Sequence, residues 1–231
     1  PYGGEYLEKT NIMVKNVLEI FAGSCSFSKV AKEFNYNTYT IDNQNLDNID
    51  FIGDFMDFDY KKLNFIPDII WASPPCYTFS MAGISHHFKK HNGVLIPISE
   101  ASKKSLKLID KTIEIILYFK KLNNDLVFFI ENPIALMRKL PQLKHLPYQI
   151  YTIRKSVNYC QYGHNYMKPT DIFTNLNTWI PKKRCKNGMN CHEASPRGSR
   201  TGINGNSSKY DKSIVPKDLC IEIIKSYEKT Y

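Results

Sequence analysis

The sequence predicts an open α/β sheet whose strands end in polar clusters and whose faces are covered by helices. Three observations predict it. Apolar runs at residues 17–21, 68–73 and 126–130 are short and rich in β-branched and aromatic residues, as buried strands are. Each run hands over at its carboxyl end to residues with chemistry: Ala22-Gly23-Ser24-Cys25-Ser26, Pro74-Pro75-Cys76 and Glu131-Asn132-Pro133. Between the last two runs, residues 99–121 carry Leu106, Ile109, Ile113 and Ile116 at the period of an amphipathic helix that packs on a sheet. In open α/β sheets the carboxyl edge is where ligands bind.

The first strand runs into a small-residue turn and then a helix-like stretch, residues 28–34. That arrangement opens a nucleotide pocket, with helix N–H groups expected to be free to donate. A short strand at 38–41 places Asp42 about 20 residues beyond the turn, the spacing at which an acid reaches ribose hydroxyls. Only Gly23 is present where a dinucleotide fingerprint needs three glycines, so an adenosine without a pyrophosphate fits better. S-adenosylmethionine is such a molecule. Phe21 is placed to cover its adenine, Asp42 to hold the ribose, and Asp54, in Gly53-Asp54-Phe55, to meet the adenine amino group.

After the run at 68–73, Pro74 and Pro75 make a stiff turn that presents Cys76 from a rigid support. That cysteine is either a nucleophile or a structural thiol. Residues 77–97, with Gly83, Gly93, three histidines, Lys89 and Lys90, read as a mobile lid without regular structure, and His86, His87 and His91 as a solvated surface. Beyond the run at 126–130, residues 133–140 read as a short helix begun by proline and stopped by Pro141. A strand at 171–174 follows. The chain closes on a helix at 217–227, with Leu219, Ile223, Ile224 and Tyr227 on one face.

Taken together, Phe21-Ala22-Gly23, Asp42, Gly53-Asp54-Phe55, Pro74-Pro75-Cys76 with Phe79-Ser80, and Glu131-Asn132-Pro133 resemble the DNA cytosine-5 methyltransferase family, from about Asn16 to the carboxyl terminus. The resemblance implies a Rossmann-like, S-adenosylmethionine-dependent methyltransferase sheet and a flipped-out cytosine as acceptor. It implies Cys76 as the thiolate that adds to C6 and Glu131 as the acid at N3. Phe21, Ala22, Gly23, Ser24, Cys25, Ser26, Asp42, Asn43, Asp54, Phe55 and Pro74 then line the cofactor. A tRNA-acting branch shares these motifs. Exocyclic-amine methyltransferases have a similar Ser-Pro-Pro loop, and a protein that keeps the fold without turnover is a further alternative.

Two positions depart from the family. The glutamine after Pro-Pro-Cys is Tyr77, and the downstream pair of arginines is replaced by Lys168 and Thr170. Lysine keeps the charge but loses the flat guanidinium fork, and threonine loses the charge. Lys168 is therefore the expected cation at the base, with Arg154 or Lys155 as possible substitutes.

The 231 residues carry a net charge of +9, which points to a polyanionic partner: DNA first, tRNA second. Six basic residues against the single acid Glu193 fall between residues 181 and 200. Arg184, Arg197 and Arg200, with Ser80 and Thr170, are the expected nucleic-acid contacts. The resemblance divides the chain into a tail (1–15), a catalytic domain (16–175), a reduced target-recognition region (176–210) and a returning helix (211–231). So short a region predicts a loose or very short sequence preference. Cys185, Cys191 and His192, with Cys160 as a fourth, offer a zinc set. Five residues separate the two cysteines, wider than the usual zinc spacing, so they are read as surface or half-buried thiols and no metal is assigned. Six cysteines without a disulfide pattern suit a reducing, intracellular compartment. Neither a membrane span nor a signal peptide is expected, and a monomer is.

Overall fold

The computed structural model describes residues 14–81, 83–92, 94–144, 152–195 and 209–231. The elements follow in chain order: β1 (Asn16–Ile20), α1 (Ser26–Glu33), β2 (Asn37–Asp42), β3 (Phe51–Ile52), β4 (Ile69–Ala72), α2 (Ile84–His87), β5 (Phe88–His91), β6 (Val94–Pro97), α3 (Glu100–Leu122), β7 (Val127–Pro133), α4 (Pro141–Lys144), β8 (Ile153–Asn158), β9 (Pro169–Thr174), α5 (Lys209–Ser213) and α6 (Lys217–Glu228). Seven strands form one sheet in the order β3-β2-β1-β4-β7-β9-β8. The pairs from β3 to β7 are parallel, and β9 runs antiparallel to both β7 and β8.

This order positions the site. From β1 the chain builds outward to β2 and β3, then crosses to the opposite side for β4 and β7, so the direction of winding reverses between β1 and β4. A crevice opens at the carboxyl ends of strands at such a switch point. The turn at residues 21–26 and the Pro-Pro-Cys turn face it from its two sides.

Each central strand is buried on both faces. Leu18, Ile20, Ile70, Ala72, Phe128 and Ile130 pack under α3, while Val17, Trp71, Val127 and Phe129 pack with Phe27 of α1, Trp179 and α6. Helix α3 begins at a capping box in which Ser99 and Ser102 satisfy each other's backbone N–H groups, an arrangement that stabilises a helix by about 1 kcal/mol. Its buried stripe includes Ile109, Ile113 and Ile116, as its periodicity predicts. Helix α6 returns to α1: Lys217 pairs with Glu33 at 2.8 Å, and the Val215 N–H donates to Ser26 Oγ at 3.1 Å.

Three expectations need correction. Residues 133–140 are no helix: Pro133 is the last rung of β7, opposite Thr170, a 3-10 turn spans Leu136–Lys139, and Pro141 opens α4. A proline is as well placed at the first position of a helix as after its end. The stretch 77–97 is not structureless either, since it holds α2 and the antiparallel β5–β6 hairpin with Phe88 buried. Asn92-Gly93 is the hairpin signal that marks it in the sequence. Leu176 and Trp179 are core residues, with Trp179 Nε1 donating to Glu222 at 2.9 Å, so the loop-rich region begins after them rather than at 176.

Candidate active site

Cys76 and Glu131 come together because β4 and β7 are neighbours in register, Ala72 opposite Ile130. Both strands then turn polar at the same level. Asn132 locks that alignment: its side-chain amide, fully buried, donates to the carbonyl of Pro74 at 3.0 Å. The Leu136 N–H donates to the Phe79 carbonyl at 3.0 Å, so the segments after β4 and β7 are stitched at a second point. Cys76 is exposed as a residue, yet enough protein surrounds its sulfur to desolvate the thiolate and push the thiol pKa up. The Glu131 carboxylate pushes it the same way, and the Lys168 ammonium pulls it down. The three groups therefore lie within electrostatic reach of one another.

Glu131 is 5% exposed and is gripped by residues just after β8 and just before β9. Tyr159 donates its hydroxyl to Glu131 Oε1 at 2.7 Å, and Lys168 Nζ stands 3.8 Å from the same oxygen. The ammonium also sits 4.4 Å from the centre of the Tyr159 ring, a cation–π contact in a desolvated setting. Burial, followed by the charge of Glu131, holds the Tyr159 hydroxyl well above its usual pKa, so it stays a donor. His164 lies edge-on to Tyr159, and burial followed by Lys168 lowers its pKa to about 4. Lys168 has φ +29°, a conformation that costs a lysine energy and that its surroundings must impose.

The expected substitutes for Lys168 do not reach the site. Lys155 donates to the Asn177 carbonyl at 2.9 Å and lies over Trp179, and Arg154 is exposed on the sheet's edge strand. Thr170 is fully buried, its hydroxyl donating to the Lys168 carbonyl at 3.2 Å, so it braces the lysine and cannot touch nucleic acid. Ser80 braces its own turn, donating to the Tyr77 carbonyl and accepting from the Gly83 N–H. A Cβ on Gly83 would stand 2.6 Å from that same carbonyl, which is why the turn takes glycine there. Arg184 donates to Asn158 Oδ1 at 3.1 Å, whereas Arg197 and Arg200 lie outside the described residues.

On the β1 side, Asp42 is buried at the end of β2 and accepts from the N–H groups of Gly23 (2.9 Å) and Gln44 (2.9 Å). Phe21 adopts φ +58° and sets its ring 4.6 Å from that of Phe55, half-buried beside the crevice. Nothing lies within 4 Å of a Cβ built on Gly23, so the turn leaves open space there. Ala22 and Pro74 are buried walls, Asn43 is exposed, and Asp54 is held by Lys104 at 2.8 Å. Cys25 is 1% exposed and its thiol faces the carbonyls of Asp47 and Asn48, while Ser24 and Ser26 hydrogen-bond each other. The Cys25 side chain therefore belongs to the turn's interior and offers a ligand only its backbone.

The N–H groups at the start of α1 are not free, contrary to expectation. Glu19, buried on β1, takes Phe27 N at 3.2 Å and Ser28 N at 2.7 Å, capping a helix whose own N-cap, Cys25, supplies no side-chain bond. Burial raises the Glu19 pKa to about 7 against the pull of those hydrogen bonds. With a carboxyl group already seated there, a phosphate has no place, which suits an adenosine cofactor lacking one. A cleft of about 580 Å³ beside α3 is lined by Tyr60, Glu114 and Tyr118 and contains none of these groups.

Two of the site residues were not foreseen. Tyr159 sits after β8 with no motif around it, and Glu19 is a lone acid inside an apolar strand, which by itself signals a buried partner. Cys160, Cys185 and Cys191 are not independent thiols: with His192 their ligand atoms all lie within 4.8 Å of one another.

The family described as C-5 cytosine-specific DNA methylase matches residues 14–132. A protein of Frog virus 3 (isolate Goorha) named "Probable DNA (cytosine-5)-methyltransferase" is 28% identical over 191 residues, 80% of this chain and 82% of that protein. Among solved structures, a methyltransferase of Entamoeba histolytica, EhMeth, aligns over 79% of this chain with TM-score 0.47 and 15% identity. A mutant of DNMT2 from Spodoptera frugiperda aligns over 74% with TM-score 0.40 and 18% identity. The chain spans 58% and 53% of the length of those two proteins.

Proposed function

The chain belongs to the family of C-5 cytosine-specific DNA methylases, and from that premise we propose that it methylates C5 of cytosine in DNA through a covalent adduct on Cys76. The observation that carries this reading is that the Cys76 thiol lies within electrostatic reach of both the Glu131 carboxyl and the Lys168 ammonium, which stand 3.8 Å apart. The substrate base must leave its duplex to reach them, at a cost of a few kcal/mol recovered from backbone and pocket contacts.

In this reading the Cys76 sulfur forms a bond to C6 while the 5,6 double bond opens and its electrons move toward C5. Glu131 contacts N3 and the exocyclic amine, so that its carboxylate stabilises the ring protonated at N3 as charge develops. Tyr159 and Lys168 hold the carboxyl group in place, and Lys168 favours the thiolate. S-adenosylmethionine, when bound, supplies the methyl group that C5 accepts. Phe21, Asp42, Asp54 and Phe55 would hold its adenosine. Loss of the C5 proton then restores the double bond and expels Cys76 as thiolate.

DNA is favoured over tRNA by the family's description and by the name of the viral relative. The test is mechanism-based trapping: DNA and tRNA carrying 5-fluorocytosine are incubated in parallel with protein and cofactor. A denaturant-stable complex with DNA that disappears in Cys76→Ser is expected. Capture of tRNA alone would move the substrate to RNA, and DNA binding without capture would overturn the catalytic reading.

A further inference from the structure

We propose that Cys160, Cys185, Cys191 and His192 bind one zinc ion that staples the basic loop to the catalytic sheet. The sulfurs of Cys160 and Cys185 are 3.2 Å apart and those of Cys160 and Cys191 3.9 Å apart. His192 presents Nδ1 at 3.3 Å from Cys191 and 3.7 Å from Cys185. A tetrahedral zinc ion with bonds of about 2.3 Å to sulfur and about 2.0 Å to nitrogen requires edges of about 3.8 Å and 3.5 Å, which these four atoms approach.

A disulfide does not account for the group. Two sulfurs at 3.2 Å are well beyond the roughly 2.05 Å of a bond, and pairing two of them leaves the third cysteine and the histidine without a reason to converge. Apolar packing does not account for it either. Residues 182–194 contain no helix or strand and are almost all exposed, so the loop has no core of its own. A structural metal supplies the ordering energy that such a segment lacks.

The surroundings are those of a thiolate site. Asn158 Nδ2 donates to the Cys185 sulfur at 3.1 Å and to its carbonyl at 2.9 Å, and Gln161 Nε2 donates to the Cys191 sulfur at 3.1 Å. Donors of this kind orient metal-bound sulfurs. Three thiolates and one imidazole suit zinc rather than a hard cation. The bound set carries one net negative charge beside Lys182, Lys183, Arg184 and Lys186. Cys160 follows Tyr159 directly, so the staple joins the basic loop to the residue that holds Glu131.

The wide spacing that argued against a metal in the sequence concerns Cys185 and Cys191 alone; the turn after β8 carries Cys160, the fourth candidate, to them.

Full-length protein purified under reducing conditions without chelator is expected to contain about one equivalent of zinc. After zinc is removed, cobalt(II) alone should restore the intense visible bands of tetrahedral thiolate coordination. Cys76→Ser should bind metal like the wild type, while Cys191→Ser and His192→Ala should each lose most of it. Since a loop variant that misfolds would also lose metal, the cobalt spectrum of the unaltered chain decides independently. No metal uptake by reduced wild-type protein, retention of full stoichiometry in the Cys191→Ser, His192→Ala double variant, or a Cys160–Cys185 disulfide in freshly purified protein would overturn the proposal. None of these readouts requires methyl transfer, so the metal site and the catalytic reading can fail separately.

Discussion

Lys168 Nζ stands 3.8 Å from Glu131 Oε1, with both side chains more than nine-tenths buried. A lysine in a strained backbone conformation, braced by Thr170 and held over Tyr159, brings one positive charge to the acid and to the thiol.

Lys168→Met should therefore slow adduct formation and raise the pKa of Cys76, since the ammonium is what pulls that thiol down. Stability should fall as well, because removing one partner of a buried pair leaves the other uncompensated, at about 3–5 kcal/mol. Lys168→Arg, which keeps the charge, should restore much of the rate. Single-turnover trapping measured across pH separates the two effects. A methionine variant with the wild-type pH profile would show that the charge acts only on the fold.

Cys76 itself should titrate high. Desolvation first and Glu131 second hold the thiol above its ordinary value of 9.0, so below that pKa the reactive thiolate grows tenfold with each pH unit. Alkylation of Cys76 by iodoacetamide, followed by peptide mass analysis, should rise log-linearly from about pH 7 to 9. A plateau at neutral pH would mean that the thiol is already ionised.

Much of this arrangement was legible in the sequence, and what was missed has a common physical reason. Runs of apolar residues ending in Pro74-Pro75-Cys76 and Glu131-Asn132-Pro133 announce both the strand and the polar cluster at its end, because a buried strand and its exposed end differ sharply in composition. Asn132 as a clamp and Tyr159 as a partner of Glu131 depend on pairings across 58 and 28 positions. No local pattern encodes those. The opposite error came from Pro133 and Pro141, where a local rule permits two readings and the β7–β9 pairing chooses between them.

Tyr159→Phe removes a single hydroxyl from a fully buried ring and leaves the shape intact. A hydrogen bond to a charged partner contributes about 1.5–3 kcal/mol, so a rate loss of roughly 10- to 100-fold is expected if the bond is felt in the transition state. Trapping under single-turnover conditions measures it, with a binding assay on the same oligonucleotide as control. Weakened binding at an unchanged trapping rate would assign Tyr159 to the pocket's shape rather than to Glu131.

Glu19 should impose its own pH dependence on folding. Its pKa is about 7 in the folded protein against 4.5 for the free side chain, so the folded state holds the proton more tightly. The resulting stabilisation is fully present below the unfolded value and is lost as pH rises through about 7, by about 3 kcal/mol at most. His164 works in the opposite sense, since its lowered pKa makes folding less favourable as pH falls below the ordinary histidine range. The wild-type curve thus mixes both, and the difference between wild type and Glu19→Gln isolates the first. Urea unfolding at about pH 5 and pH 8 should show Glu19→Gln losing less stability than wild type on going to the higher pH. Parallel losses in the two proteins would mean that the carboxyl group capping α1 is already ionised at neutral pH.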